Sequence, residues 1–407
     1  MKSPRFFLLF CTGTMLFLSS GCNDAPDSVG GPTQPLADYG ITRVDTFYAT
    51  GHSSLPNRLF TSTIDRFMLG KYQTYQAWAC LKFGSWPDSM MTGKIITSAT
   101  IRLKSVYHFG KSMSVLPFDA YRARASWAGD SLTYDSLNLN TVAQPPYNYY
   151  YDISTKYSSS IQAGDTDWVT IDIPDTTMLR EWFSTNSDTM HLNDGIILRP
   201  EPSFSNVIRG FYSYYASDTS YQPTLYVNYY DSTYGRNTYV HKVSSSKYVS
   251  TIDRASLITD NNLIYVQSGI SYRGLISFDR ILTTWPVSIH RAVLQVTLDA
   301  SKSSPQFNPF PTPFLHDSLN ALSVTTDSIF DGAFNALSLT KDSLGRVMYS
   351  FESAGLASRW LNNSSARKVM LSGYFESGSF DLFTIFSEGA SDIKLRPRII
   401  ITYSIKR

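Results

Sequence analysis

Two clusters of tyrosine are the residues in this sequence best suited to binding chemistry. They comprise Tyr147, Tyr149, Tyr150, Tyr151, Tyr212 and Tyr214. Sugar rings present C–H faces that stack on tyrosine, while neighbouring polar side chains bind the sugar hydroxyls. We therefore predict that these tyrosines are ligand contacts. The alternative is that their rings pack over a sheet edge and cover its unpaired backbone groups.

Motifs for catalysis are scarce in the same sequence. No two of the six histidines have the spacing of a zinc site, and no cysteine pair could complete one. The sequence has no Gly-x-Ser-x-Gly elbow and no phosphate-binding glycine loop. A glycosidase needs a pair of carboxylates, and glutamate is sparse, with five residues in the whole chain. We predict that the protein is not an enzyme.

Asp165 and Asp167 form the candidate metal site. They follow Gly164 immediately before a predicted strand, and calcium prefers oxygen ligands that cluster on loops. The sequence therefore allows a structural calcium ion at this position, with an Asp-rich turn as the alternative. No other cofactor is expected.

The N-terminal residues resemble the signal peptide and lipidation site of a bacterial lipoprotein. A short apolar run follows Lys2 and Arg5, and small residues then lead to Cys22. Such a run is too short to span a bilayer and is typical of a cleaved signal. We expect a signal peptide over 1–21, lipidation of Cys22 and a flexible tether over 22–35, with ordinary secretion as the alternative. The lipid would anchor the protein in the bacterial cell envelope, at the outer membrane or the cell surface.

Charge and cysteine content exclude two further features. Two of the 35 basic residues precede Cys22, so the mature chain keeps 33 basic and 33 acidic side chains. A neutral chain without a basic block has no electrostatic surface for nucleic acid. The mature chain would also keep a single further cysteine, Cys80, which excludes an internal disulfide. Its apolar neighbours predict a small core residue.

Short alternating runs of Tyr, Phe, Thr, Val and Ile, separated by Gly, Pro, Asn and Asp, predict an all-β fold. The chain also contains a long internal repeat, because the same landmarks occur twice in the same order. The matched landmarks are Phe83 and Phe278, the strands 96–103 and 289–296, Trp182 and Trp360, and the closing strands after Pro223 and Pro397. We predict two tandem antiparallel β-sandwich (jelly-roll) domains at 36–231 and 243–407, joined by a linker over 232–242.

The repeated segments resemble the DNRLRE-type domain, a jelly-roll module of secreted bacterial proteins that is grouped with carbohydrate-binding modules. The segments that carry this resemblance are 82–84, 96–103, 127–134, 168–173, 193–198 and 222–229 in the first half, and 277–279, the strand at Ala292, Trp360 and 396–403 in the second. The hexapeptide that gives the family its name is absent. The resemblance implies jelly-roll sandwiches and a role in glycan binding.

The sequence thus favours a non-catalytic envelope lipoprotein that binds polysaccharide or another extracellular surface. The alternative is a structural spacer, or a scaffold for protein partners in the envelope. An exposed aromatic platform would favour binding, whereas an exposed apolar patch or strand edge would favour the scaffold.

Overall fold

The computed structural model is an all-β sandwich built from antiparallel sheets, which confirms the predicted fold class. The structure describes residues 39–56, 61–84, 94–124, 127, 132, 134, 137, 151–182, 193–251, 260–270, 272–279, 287–303, 314–318, 335–336, 338–362, 368–373 and 376–406. Among these residues, no helix has both the length and the apolar character needed to cross a membrane.

Within the described residues, the strands are interrupted by short helical segments. Up to the end of the first half they are β1 (Tyr39–Tyr48), β2 (Gly51–Pro56), β3 (Arg66–Tyr72), β4 (Tyr75–Phe83), β5 (Lys94–Gly110), β6 (Leu116–Ala123), β7 (Tyr151–Ile161), β8 (Trp168–Ile173), β9 (Ile196–Pro200), β10 (Asn206–Tyr212) and β11 (Thr224–Asp231). They continue as β12 (Gly235–Thr251), β13 (Leu263–Gln267), β14 (Tyr272–Ser277), β15 (Val287–Thr297), β16 (Phe314–Ser318), β17 (Asn335–Ala336), β18 (Ser338–Lys341), β19 (Val347–Glu352), β20 (Lys368–Ser372), β21 (Leu382–Phe386) and β22 (Arg398–Lys406). The helices that the structure describes over their full length are α1 (Thr176–Trp182) and α2 (Ala354–Asn362), and 3₁₀ turns lie at Thr219–Tyr221 and Ile393–Leu395.

Two long strands connect the sheets of the first half. One sheet runs β10-β3-β4-β9-β6-β7, and the other contains β8, β5, β11 and β12. The 17-residue strand β5 pairs with β8 and β11 through its first part and with β10 through its last part. The 17-residue strand β12 pairs with β11 and then with β4. Strands β12, β11, β5, β10, β3 and β4 therefore form a closed ring.

The second half repeats this arrangement, except that two of its strands come from the start of the chain. Strand β22 pairs with β15, which pairs with β19 and through it with β18. The other sheet contains β17, β16, β20, β14, β13 and β21. The positions that β12 fills in the first half are taken here by β1, which pairs with β22, and β2, which pairs with β14.

Strand pairing therefore departs from the predicted boundaries. The sequence assigns residues 39–56 to a first domain at 36–231, but in the structure they complete the sheets of the second half. The segment 232–242 is predicted to be a linker, but β12 begins at Gly235 and enters the first-half sheets. Hydrophobic alternation cannot show this exchange, because it fixes the faces of a strand and not its partner.

The local predictions hold. Ala99, Ile101 and Leu103 are buried on one face of β5, while Arg102 is exposed on the other, as alternation requires. Pro223 and Pro397 directly precede β11 and β22, since proline lacks the N–H that a ladder needs. Three tryptophans at the landmark positions are buried core residues, namely Trp127, Trp182 and Trp360.

An aromatic contact joins the two halves. Phe380, from the second half, is fully buried within the core of the first. Its ring stacks on Phe109 at 5.9 Å and meets the edge of Tyr75 at 6.1 Å. The backbone N–H of Phe380 donates to the Tyr107 hydroxyl at 2.9 Å, inside the same core. The two halves thus share one continuous apolar contact.

Truncation of this contact tests the coupling of the halves. We expect Phe380→Ala to lower the free energy of unfolding by about 3–5 kcal/mol, because it leaves a cavity in a packed core. Urea denaturation followed by tryptophan fluorescence measures the change. The control is Leu344→Ala, at a side chain that is 74% exposed, with an expected effect below about 0.5 kcal/mol. Equal effects of the two substitutions would contradict a buried contact.

Candidate functional site

A polar and aromatic surface lies on the outer face of the sheet formed by β8, β5, β11 and β12. Residues that stand opposite each other in an antiparallel pair share a face, so the register defines this surface, here called the outer strip. Its rows are Trp168 and Lys104; Thr170, Arg102, Thr224 and Lys242; Asp172, Thr100, Tyr226 and Val240; and Ser98, Asn228 and Thr238. Ser98 and Lys104 are six residues apart on β5, so the strip is about 20 Å long.

One end of the outer strip is aromatic. The guanidinium carbon of Arg102 lies 4.0 Å from the ring centroid of Trp168, and Lys104 Nζ lies 5.4 Å from the same ring. Tyr221, in the first 3₁₀ turn, meets Trp168 at 6.3 Å and stacks on Tyr212 at 5.0 Å. Cation–π contacts hold both cations against the rings, so the aromatic end has a fixed arrangement.

The 3₁₀ turn is itself held in place by polar bonds. The Asp218 carboxylate accepts a hydrogen bond from the Ser220 backbone N–H at 2.9 Å, and hydrogen bonding from Ser220 lowers the pKa of Asp218. Lys242 Nζ donates to the Thr219 carbonyl at 2.8 Å. These bonds join the turn to β12 and fix the position of the Tyr221 ring.

The other end of the outer strip is a polar cleft of about 600 Å³. Asn228 Nδ2 donates to the Ser98 hydroxyl at 2.9 Å, and the Thr238 hydroxyl donates to Asn228 Oδ1 at 2.7 Å. Lys94 Nζ lies 4.9 Å from the ring centroid of Tyr229 at the same end. The cleft is lined by Thr97, Ser98, Asn228, Tyr229, Arg236, Asn237 and Thr238. It therefore offers hydroxyl, amide and guanidinium groups beside one aromatic ring.

The second half does not repeat this chemistry. Because Ala292 matches Ala99 in the repeat, the counterpart of Lys104 and Trp168 is the pair Thr297 and Met348. The counterpart of Ser98, Asn228 and Thr238 is the row Arg291, Thr402 and Val44. Arg291 is engaged in an ion pair with Glu352 at 2.8 Å. The fold therefore does not itself require the side chains of the outer strip.

The predicted tyrosines fall in different places. Tyr212 belongs to the aromatic end of the outer strip. Tyr214 is 40% exposed and meets Tyr215 edge to face at 5.1 Å. Tyr151 begins β7 opposite Ala123, and its side chain lies outside the described residues. So do Tyr147, Tyr149 and Tyr150, as well as Cys22. Ligand contact by these residues stays a prediction.

Sequence reasoning missed most of the outer strip. Arg102 lies between two buried residues, Trp168 and Asn228 each adjoin one, and Thr238 is exposed between half-buried neighbours. The alternating pattern therefore marks each of them as outward-facing. The missing information is which strands are neighbours. Only the pairing of β5 with both β8 and β11, together with that of β11 with β12, brings these four side chains onto one surface.

The carboxylates of Asp165 and Asp167 contact different groups of the protein. Asp165 accepts from Arg209 at 3.0 Å and lies 2.7 Å from His108 Nδ1. Asp167 Oδ2 accepts from the Gly164 N–H at 2.6 Å. No group of three or more His, Cys, Asp or Glu side chains that could hold a metal ion occurs among the described residues. A calcium ion would have to compete with Arg209 for Asp165, and calcium binding stays a prediction.

The Asp165 side chain nevertheless has a structural role. The Arg209 side chain is only 2% exposed, and burial lowers the pKa of its guanidinium while Asp165 opposes that shift. We expect Asp165→Ala to lower the free energy of unfolding by about 1.5–3 kcal/mol, because a buried cation loses its charged partner. Chemical denaturation at neutral pH measures the change.

The control for Asp165 is a carboxylate in an exposed ion pair. Glu352 and Arg291 are both more than half exposed, and surface pairs contribute about 0–1 kcal/mol. Glu352→Ala should therefore change stability far less than Asp165→Ala. A larger effect of Glu352→Ala would contradict the assigned role of Asp165.

Cys80 is fully buried, as predicted, between β12 and β9. Burial raises the pKa of the Cys80 thiol to about 12. We expect this thiol, in a chain whose Cys11 and Cys22 are serine, to react with a thiol reagent at pH 8 roughly 10³-fold more slowly than in urea, because the thiolate is the reactive form. Absorbance after addition of an aromatic disulfide reagent measures the rate. Fast reaction of the folded protein would show that Cys80 is accessible.

The glutamates are distributed over separate contacts. Glu376 binds Arg273 through two hydrogen bonds, at 2.8 and 2.6 Å, and Glu388 lies 2.7 Å from His52 Nδ1. Glu201 accepts from the Ser203 hydroxyl at 2.7 Å. Glu181 lies in α1, and its side chain is outside the described residues. The absence of catalysis stays a prediction.

Comparisons with known proteins leave the family open. No family model matches the sequence, and no curated protein matches it. Among solved structures, that of the Macrobrachium rosenbergii nodavirus is 10% identical and covers 93% of each chain, with a TM-score of 0.15. The C-terminal domain of the Streptococcus agalactiae AgI/II polypeptide BspA is 9% identical and covers 84% of this chain and 91% of its own, with a TM-score of 0.14. Similarity at this level carries no argument about fold or function.

Proposed function

We propose that this protein is a non-catalytic binding protein and that the outer strip binds polysaccharide. The observation that carries the proposal is the joint presence, on one open sheet face, of the aromatic end at Trp168 and the polar cleft at Asn228. Aromatic rings suit the C–H faces of sugars, and amide, hydroxyl and guanidinium groups suit their hydroxyls.

The geometry of the outer strip suits an extended chain. A length of about 20 Å on an open sheet face fits several linked sugar units better than one enclosed small molecule. Sheet strands also hold their side chains in place before the ligand arrives. Since the Arg102 guanidinium is already held 4.0 Å from the centroid of the Trp168 ring, it need not be ordered on binding, which reduces the entropic cost.

The difference between the halves supports a functional origin for the outer strip. The counterpart row in the second half has Thr297 and Met348 where the first half has Lys104 and Trp168. A surface needed only for folding would have similar demands in both halves. We therefore assign binding to the first half.

The anchoring of the molecule belongs to the same proposal. A lipid on Cys22 and a tether over 22–35 would hold the folded residues near a membrane of the bacterial envelope. The protein would then present the outer strip to an extracellular polysaccharide.

One observation favours the alternative role as a scaffold. Strand β1 is an edge strand of its sheet, and its apolar side chains Ile41 and Val44 are 76% and 64% exposed. An exposed edge with apolar side chains is a site at which another chain can pair. A protein partner at β1 is the second candidate function.

A glycan array separates these functions. With the secreted form, residues 36–407, we expect selective binding that Trp168→Ala and Arg236→Ala each weaken at least tenfold, about 1.4 kcal/mol, because they remove contacts at opposite ends of the strip. The matched control is Tyr215→Ala, which removes a 48% exposed ring elsewhere on the first half. Circular dichroism confirms that each variant is folded.

The other outcomes are equally specific. Loss of binding only in a Tyr149→Ala/Tyr151→Ala double variant would move the site to the first tyrosine cluster. Absence of binding to any glycan by the folded protein would reject the polysaccharide and favour the scaffold.

A further inference from the structure

Strands β1 and β2 in the second half, and β12 in the first, occupy equivalent positions. The repeat matches Pro223 with Pro397. The carbonyl of Pro223 accepts from the Val243 N–H at 2.9 Å, and the carbonyl of Pro397 accepts from the Ala49 N–H at 2.9 Å. Val243 therefore corresponds to Ala49.

The match continues in register on both sides of this point. Ser245 pairs with Lys82, and Gly51 pairs with Ser277, the residue that replaces Lys82 in the repeat. Each of Ser245 and Gly51 lies two residues beyond the position just matched. The two strands thus cross from one sheet to the other at the same residue and continue in the same register.

This equivalence describes a reciprocal exchange of first strands. Along the chain, residues 39–56 precede the first half, yet they complete the second; residues 235–251 precede the second half, yet they complete the first. In the second half the acceptor position is therefore filled by a segment that is distant in sequence from that half, whereas β12 follows β11 of the first half directly. Backbone hydrogen bonds and register hold the segment there, not chain order.

We propose that the position between β22 and β14 is a strand-accepting site and that a second copy of this chain can supply residues 39–56 to it. The donated strand would make the same hydrogen bonds to Pro397 and Ser277 as the resident one, so only the source of the strand changes. Exchange of an identical element between copies is a low-cost route to association.

The contacts of the resident strand are compatible with its release. Side chains 41–46 are exposed, and among the described side chains of this segment the apolar core receives Phe47 and Ala49. The side-chain polar contacts of the segment are separate single bonds: Tyr403 donates to Asp45 at 2.7 Å, His52 lies 2.7 Å from Glu388, Thr50 donates to Asp279 at 3.0 Å, and the Tyr265 N–H donates to Ser54 at 2.8 Å. A strand from a second copy would form every one of these contacts.

The protein concentration determines whether the strand comes from the same chain or from a second copy. The resident strand acts at an effective concentration set by its own chain, and a second copy competes at the protein's bulk concentration. The exchanged form should therefore increase in proportion to protein concentration, and most strongly when chains refold together.

Two variants that each add one surface cysteine report the exchange. Val44 stands opposite Thr402, with Cβ atoms about 4.5–5.5 Å apart, close to the separation that a disulfide spans. We would refold Val44→Cys and Thr402→Cys together in the full-length chain with Cys11 and Cys22 changed to serine, oxidise, and identify linked peptides by mass spectrometry. We expect a link between positions 44 and 402 of different molecules whose yield rises roughly tenfold with a tenfold rise in concentration.

Two controls make the result decisive. The double variant Val44→Cys/Thr402→Cys must link within one molecule at low concentration, which shows that the geometry permits the bond. Mixed Val44→Cys and Asn228→Cys chains report donation to the first half, because Thr238, the counterpart of Val44, pairs with Asn228. An intramolecular link in the double variant, with no 44–402 link between molecules at any concentration, would overturn the proposal. Linkage to position 228 instead of 402 would overturn it as well.

Discussion

A strand that hydrogen-bonds to both sheets of a half is the constraint on which this structure depends. In the first half β12 leaves β11 at Val243 and continues along β4, and in the second half the turn at Ala49 makes the same crossing. Without this strand, β11 and β22 would each present an open edge of unpaired backbone groups. The same long-strand principle applies to β5, whose two parts belong to different sheets. The cores can close only because these crossings exist.

The crossing strands also explain how the outer strip and the shared core are positioned. β5 carries Arg102 and Lys104 outward, while Ile101 and Leu103 fill the first core. A single strand therefore positions side chains of both the outer strip and the core. Phe380, from the second half, packs into the first core, where its backbone N–H donates to the Tyr107 hydroxyl. The outer strip therefore rests on a sheet whose core is packed by residues of both halves. Such support keeps the side chains that would contact a ligand in place.

The sequence predicted the elements well and their partners poorly. Alternation identified the inward face of β5, proline placed the starts of β11 and β22, and the apolar neighbours of Cys80 predicted its burial, because each of these signals is local. The exchange of β1 and β2 with β12 is not local: the same hydrogen bonds form whichever half supplies the strand, so no side-chain pattern records the choice. The outer strip was missed for a related reason. Trp168 and Asn228 lie 60 residues apart in the sequence. They share a surface only because β8 and β11 both pair with β5, and the sequence does not show which strands pair.

The entry of the chain at β1 has a mechanical consequence. Tyr39, the first described residue, pairs with Lys406, the last, so the two ends of the described chain lie at the same end of one sheet. A pull on the N-terminal segment would load the β1–β22 ladder before any strand of the first half. Tension would therefore be borne first by the half that lacks the outer strip, and the first half would stay folded until residues 39–56 had been peeled away.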